Sequence, residues 1–207
     1  MVFILPYLTR VIAGVSVPDT PIINASIAFA RAELPDYGYN HVMRAWLNGQ
    51  ALINHLPESN RSEIDAEAFG VATILHDLGW LVQSSFTSSI DTDNTWRSNN
   101  TAIVSNDKTF EVDGAIAARN FLQQKGGSTW DKHRIQLVWD AIALHTNNEI
   151  YPHKEREVAY TAAGTATELF GPELATRMLV CIAIIGLTFS CRPTTSHLLT
   201  LLFRELL

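Results

Sequence analysis

His76 and Asp77 stand side by side at the end of an apolar run, "ATILHDLGW" over 72–80. Two adjacent polar groups where a buried helix stops are costly unless something occupies them. Neighbouring side chains on a helix diverge by about 100°, yet both can still reach one ion placed at the helix end. An imidazole nitrogen with a carboxylate oxygen suits Zn, Fe(II) or Mn. The competing explanation is a helix-terminal histidine beside a capping aspartate, and a His-Asp pair alone does not separate the two.

The neighbouring sequence favours an ion. "YNHVMRAW" puts His41 in the first turn of another apolar helix, on a stripe with Ala45, Asn48 and Leu52. "WDAIALHT" puts His145 at the end of a third. Helical bundles build metal sites from inward side chains on facing helices. Of the seven histidines, His55, His133 and His153 sit beside polar or turn residues and belong to the surface. "FEVDGA" brings Glu111 and Asp113 to a helix start, where they either complement the helix N-terminus or contact substrate. His145, on an apolar helix, would be buried and in need of a partner. Trp46, Trp80 and Trp139 read as core. Asp140 is expected to be solvated or paired with Arg134.

These residues need helices to carry them, and the sequence supplies many helical signals and few strand signals. Residues 21–34 open on a proline suited to a first turn and carry apolar residues at helical spacing. "PDYG" breaks the chain, and Asn40 is the expected N-cap of a helix running to about Leu56. "PESNR" reads as a turn. Residues 63–77 read as an amphipathic helix stopped by Gly79. Further helices are expected at about 110–125, 131–146 and 155–170. Residues 83–106 are rich in Ser, Thr and Asn without helical period, and read as a long exposed loop. The segment 173–207 is apolar and expected to be helical, divided by Pro193. The fold class is all-α, a helical bundle forming a single domain over 1–207 with its core at about 21–172.

The bulk properties agree with a globular domain. With 207 residues, 47% of them hydrophobic and 17% charged, the chain can bury about 70% of its unfolded surface without disulfide staples. Its formal net charge of −6 argues against a nucleic-acid or anionic-membrane partner. Cys181 and Cys191 form no CxxC motif and read as reduced, buried thiols, so a cytoplasmic location is expected. The N-terminal apolar run has no basic residues before it and does not read as a signal peptide. Met178 to Phe189 is short of the roughly 20 residues a membrane span needs.

Taken in order, "IAGVSVPDTP", "YNHVMRAWL", "ATILHDLGW", "FEVDGAIAARNFL", "LVWDAIALHT" and "KEREVAYTAAGTATELFGP" resemble the HD-domain metal-dependent hydrolase superfamily. The branch they look most like is similar to cyanamide hydratase. The resemblance covers about residues 10–172 apart from 83–104, and the C-terminal segment 173–207 diverges from it. It implies an HD-domain bundle holding one divalent transition metal, Zn before Fe or Mn, on His41, His76 and Asp77. The fourth ligand of such proteins is an aspartate on a late helix. Here His197 falls at that place, in "CRPTTSHLL", so either His197 is the fourth metal ligand or the site lacks one.

The resemblance further implies an enzyme that hydrates a small nitrile-type substrate, cyanamide to urea, with metal-activated water. Asp77 would accept the proton, and Glu111 and His145 would support catalysis. The expected partner is a small molecule, with no nucleic acid and no membrane, and a homo-oligomer is compatible. Many HD phosphohydrolases carry a lysine shortly after the His-Asp pair, where this chain has Trp80, which supplies no phosphate clamp. Phosphohydrolysis of a nucleotide or other ester, with Arg44 as the nearby cation, is the second expectation. A non-catalytic relative with an incomplete site is the third.

Overall fold

The computed structural model describes residues 8–80 and 103–171. Apart from 103–106, the loop expected over 83–106 lies outside those residues, as does the segment 173–207 with His197 and both cysteines. The described residues are helical apart from one hairpin, as the all-α reading requires. Their elements are β1 (Thr9–Ile12), β2 (Val15–Pro18), α1 (Pro21–Glu33), α2 (Asp36–Asn54), α3 (Glu58–Arg61), α4 (Ala66–Leu75), α5 (Phe110–Lys125), α6 (Lys132–Leu144) and α7 (Arg156–Phe170).

The hairpin was not expected. Its strands pair antiparallel from Thr9↔Pro18 to Ile12↔Val15. The two residues between them, Ala13 and Gly14, have φ of 48° and 82°, the doubly positive turn that matches strand twist. Val17 is fully buried, and Asn54 Nδ2 donates to Ser16 O at 2.8 Å. The hairpin is thereby fastened to the end of α2.

Several boundaries follow side-chain chemistry. Thr20 caps α1 ahead of Pro21 in the first turn. Asn40 does not cap α2: the helix begins at Asp36 behind Pro35, and Asn40 lies inside it. The proline of "PDYG" therefore starts a helix rather than a loop. "PESNR" contains the single turn α3 rather than a simple turn. Asp65 caps α4 by accepting from Ala68 N. It also binds Arg134 Nε at 2.7 Å, while Arg134 Nη2 reaches Glu67 at 2.9 Å. Asp140 is not Arg134's partner; it pairs with Lys154 at 2.8 Å.

α4 is the axis of the domain. Every residue from Glu67 to Leu75 is buried, so the helix is not amphipathic as its sequence was read. It lies among α1, α2, α6 and α7, and a helix enclosed on all sides has no solvent face to keep polar. Burying its apolar side chains contributes roughly 1.5–3 kcal/mol for each large one.

α2 and α7 cross with their backbones nearly touching. A Cβ on Gly164 would lie 2.5 Å from Ala45 O, and one on Gly49 would lie 3.3 Å from Tyr160 O. The pairings run in opposite directions along the two helices, which are therefore antiparallel. A second close approach joins the turn after α4 to the start of α5, where a Cβ on Gly79 would meet Phe110 O at 2.1 Å. Gly79 is absent from the residues with positive φ. Its role in "HDLG" is close backbone approach, not a left-handed helix cap.

Candidate metal centre

α4 ends at Leu75, so His76 and Asp77 lie in the turn that leaves the bundle axis. α2 presents His41 from its second turn, and α6 ends just before His145. The four side chains converge in the interior: His41 is 8% exposed, His76 0%, Asp77 5% and His145 6%. His41 Nε2 lies 3.2 Å from His76 Nε2 and 3.4 Å from Asp77 Oδ2. His76 Nε2 lies 3.4 Å from Asp77 Oδ1. His41, His76 and Asp77 form a group that could hold a metal ion, with one donor atom from each within 4.8 Å of the others.

The remaining ring nitrogens fix the protons. His76 Nδ1 lies 2.8 Å from Thr73 O, and His145 Nδ1 lies 2.7 Å from Ile142 O. A carbonyl only accepts, so both Nδ1 atoms carry the proton and donate. His41 Nδ1 lies 2.6 Å from Glu168 Oε2, and a carboxylate likewise demands a donor. In the neutral rings of His76 and His145, Nε2 is therefore a bare lone pair, while on His41 the nitrogen facing Glu168 carries a proton. The Nε2 atoms of His41 and His76 face each other at hydrogen-bond distance, and a metal ion among these donors would take both. Donors about 2.0–2.2 Å from a tetrahedral ion stand about 3.3–3.5 Å apart, close to the spacings observed.

Burial sets the electrostatics. It pushes His76 down to about 3, with the His41 charge adding to the effect. Burial likewise lowers His145 to about 4, again with help from its histidine neighbour His76. Both rings are neutral at physiological pH, as metal ligands must be. Burial also raises Asp77 above the ordinary carboxylate range, with His145 and His41 opposing that rise. A bound cation would favour its charged form.

His145 borders the group rather than completing it: its Nε2 is 4.0 Å from Asp77 Oδ1, and its ring packs on those of His76 and Phe110. Glu111 stands on the rim and accepts from Thr146 Oγ1 at 2.7 Å. Burial pushes Glu111 up, but that bond and others outweigh it and hold the carboxyl below its usual range. Asp113 is buried and accepts from the backbone N–H and hydroxyl of Ser105; it anchors the 103–106 segment. The expected stripe on α2 is corrected: Gly49, not Asn48, continues the buried line of His41 and Ala45. His55, His133 and His153 are exposed, as expected. Trp46 is in the core, Trp139 is half-buried under Arg119, and Trp80 is 39% exposed beside Tyr37. His197, the expected fourth ligand, lies outside the described residues.

Two residues were missed by the sequence reading. Glu168, near the end of α7, holds His41 and receives Arg44 Nε at 2.8 Å and Nη2 at 2.5 Å. Lys108 lines a cavity of about 290 Å³ with Gly79, Trp80 and Phe110, next to the turn that carries Asp77. Its ammonium is held by Asp107 at 2.6 Å. Compared with known proteins, the chain matches no family model, no curated protein and no solved structure.

Proposed function

We propose that this chain is a metal-dependent enzyme of HD-domain type that hydrates a small nitrile-class substrate, with cyanamide to urea as the reaction to test first. The observation that carries the reading is the inward convergence of the His41 and His76 Nε2 atoms with the Asp77 carboxylate. The ordered sequence resemblance supports it. His41, His76 and Asp77 would hold the ion, and a nitrogen-rich donor set with one carboxylate fits Zn ahead of Fe or Mn. Bound there, such a metal supplies Lewis acidity that brings the pKa of water toward neutrality.

The chain's own residues account for the rest. Hydration moves both protons of water to the nitrile nitrogen as oxygen bonds to the nitrile carbon, the second when the isourea tautomerises to urea and the first in the addition itself. Asp77 accepts that proton and returns it. His145, uncharged at neutral pH and 4.0 Å from Asp77, presents a lone pair that orients a water or a substrate N–H. The apolar walls of α4 exclude bulk water, which strengthens each of these contacts.

Phosphate-ester hydrolysis would need a cation free to meet the substrate. Arg44, the cation beside His41, is committed to Glu168, so hydration of a neutral substrate fits better. The test is urea release from cyanamide by the protein loaded with Zn²⁺, Fe²⁺ or Mn²⁺, beside phosphate release from a nucleotide panel. Urea without phosphate is the expected result. Phosphate without urea would replace hydration by phosphohydrolysis. Loss of metal on His76→Ala is expected, and unchanged metal content would overturn the centre itself.

A further inference from the structure

The remaining polar groups near the centre differ in what they hold. Glu111 meets a threonine hydroxyl on the rim. Asp113 secures a backbone segment. Glu168 alone among them touches a member of the donor group, and it does so on the nitrogen that faces away from Asp77.

We propose that Glu168 is a positioning residue: gripped by Arg44, its carboxylate fixes His41 as the Nδ1–H tautomer and aims Nε2 at His76 and Asp77. The inference rests on the metal-centre reading and names the device that makes His41 a competent ligand.

His41 differs from its two companions. His76 and His145 each donate Nδ1–H to a backbone carbonyl three residues earlier, so their own turns set their tautomers. His41, inside α2, makes no such bond: its Nδ1 meets a side chain instead. Its orientation must come from another element. α7 supplies it, because the Gly164–Ala45 contact brings α7 against α2 and Glu168 lies one turn beyond Gly164. Glu168 Oε2 then stands 2.6 Å from His41 Nδ1, and its Oε1 takes the Arg44 fork. Each carboxylate oxygen has one partner, so the group cannot rotate without losing both. Arg44 lies one residue short of a full turn from His41 on the same helix, so the clamp closes back on α2. The group that hydrogen-bonds one ring nitrogen decides which nitrogen is free for metal.

The test uses the full chain, metal-free, with ¹⁵N-labelled histidine and Co²⁺ as the binding probe. In the wild type, His41, His76 and His145 should all report Nδ1–H. Glu168→Ala should move His41 alone to a mixed or Nε2–H population. Loss of an orienting partner typically costs 10–100-fold in metal affinity, so Glu168→Ala should weaken Co²⁺ toward the upper end. The near-isosteric Glu168→Gln, which keeps an acceptor without the charge, should lose about tenfold. Either folded variant with a Co²⁺ Kd within twofold of wild type, or an unmoved His41 tautomer in Glu168→Ala, overturns the proposal. If Glu168→Ala does not fold, Glu168→Gln decides it. If the wild type binds no Co²⁺, the metal reading fails, while the tautomer of His41 still decides what Glu168 does.

Discussion

At the residue scale, the site is made of side chains chosen for what their far ends do. His76 and Asp77 were legible because a polar pair at the end of an apolar run has few structural uses. His41 and His145 were legible because each lies near one end of an apolar helix. Glu168 was not singled out, although it carried a signal. An acidic residue in the last turn of a helix opposes the helix dipole, a cost of about 0.3–1 kcal/mol at an exposed end, and such a cost points to a partner elsewhere. Thr73 and Ile142 had no signal at all, since any residue would supply the same carbonyl. Asp77 yields a prediction of its own. Its carboxyl is raised by burial, so in the metal-free protein it is a burden on the fold. Asp77→Asn should leave the metal-free unfolding midpoint within about 3 °C of wild type or raise it, where 1 kcal/mol corresponds to roughly 2–4 °C. The same variant should lose stoichiometric metal, read by elemental analysis. A large drop in the metal-free midpoint would show that Asp77 is chiefly structural.

At the element scale, two backbone contacts position the chemistry. Helix existence and rough extent could be read from caps and periodicity, and α5, expected at about 110–125, is observed as Phe110–Lys125. What could not be read was which helix would be enclosed. Periodicity predicts an apolar face, but it cannot tell that α4 will be surrounded by four others. Nor does a glycine reveal whether it serves a turn or a close approach. Gly164→Ala would drive a methyl into Ala45 O and separate α2 from α7. Overpacking of this kind costs about 1–3 kcal/mol, and it should also draw Glu168 away from His41. The expected outcome is a lower midpoint in denaturant together with weaker Co²⁺ binding. Gly38→Ala is the contrast on α2. A Cβ there meets nothing closer than Pro35 Cδ at 3.6 Å, so helix propensity should dominate and stabilise the fold by about 0.5–1 kcal/mol. Equal effects from the two substitutions would remove the helix-crossing explanation.

At the scale of the whole molecule, the centre couples folding to both protons and metal. An unfolded histidine titrates near 6.5, whereas native His76 and His145 are held down at about 3 and about 4. Between roughly pH 4 and 6.5 the unfolded chain therefore binds more protons than the native one. Stability rises with pH wherever that is so. The metal-free protein should lose stability as pH falls from 7 to 5.5. Asp77 works the other way, because its raised pKa lets the native state hold a proton that the unfolded state has released. The two histidines alone give a loss on the order of 2 kcal/mol over that window, and Asp77 reduces it. Metal adds a separate term. A ligand that binds only the native state stabilises it by about 2.7 kcal/mol at a hundred times its Kd. Binding requires neutral imidazole and ionised carboxylate: protons compete weakly for His76, which stays neutral well below pH 6, but they compete for Asp77, whose carboxyl burial raises. The Zn²⁺-dependent rise in midpoint should thus be smaller at pH 5.5 than at pH 7 in the wild type and vanish at every pH in His76→Ala. Urea titrations at pH 7 and 5.5, with and without Zn²⁺, measure both terms. A metal-free stability that is flat or higher at pH 5.5 would mean that these histidines are not held neutral by burial.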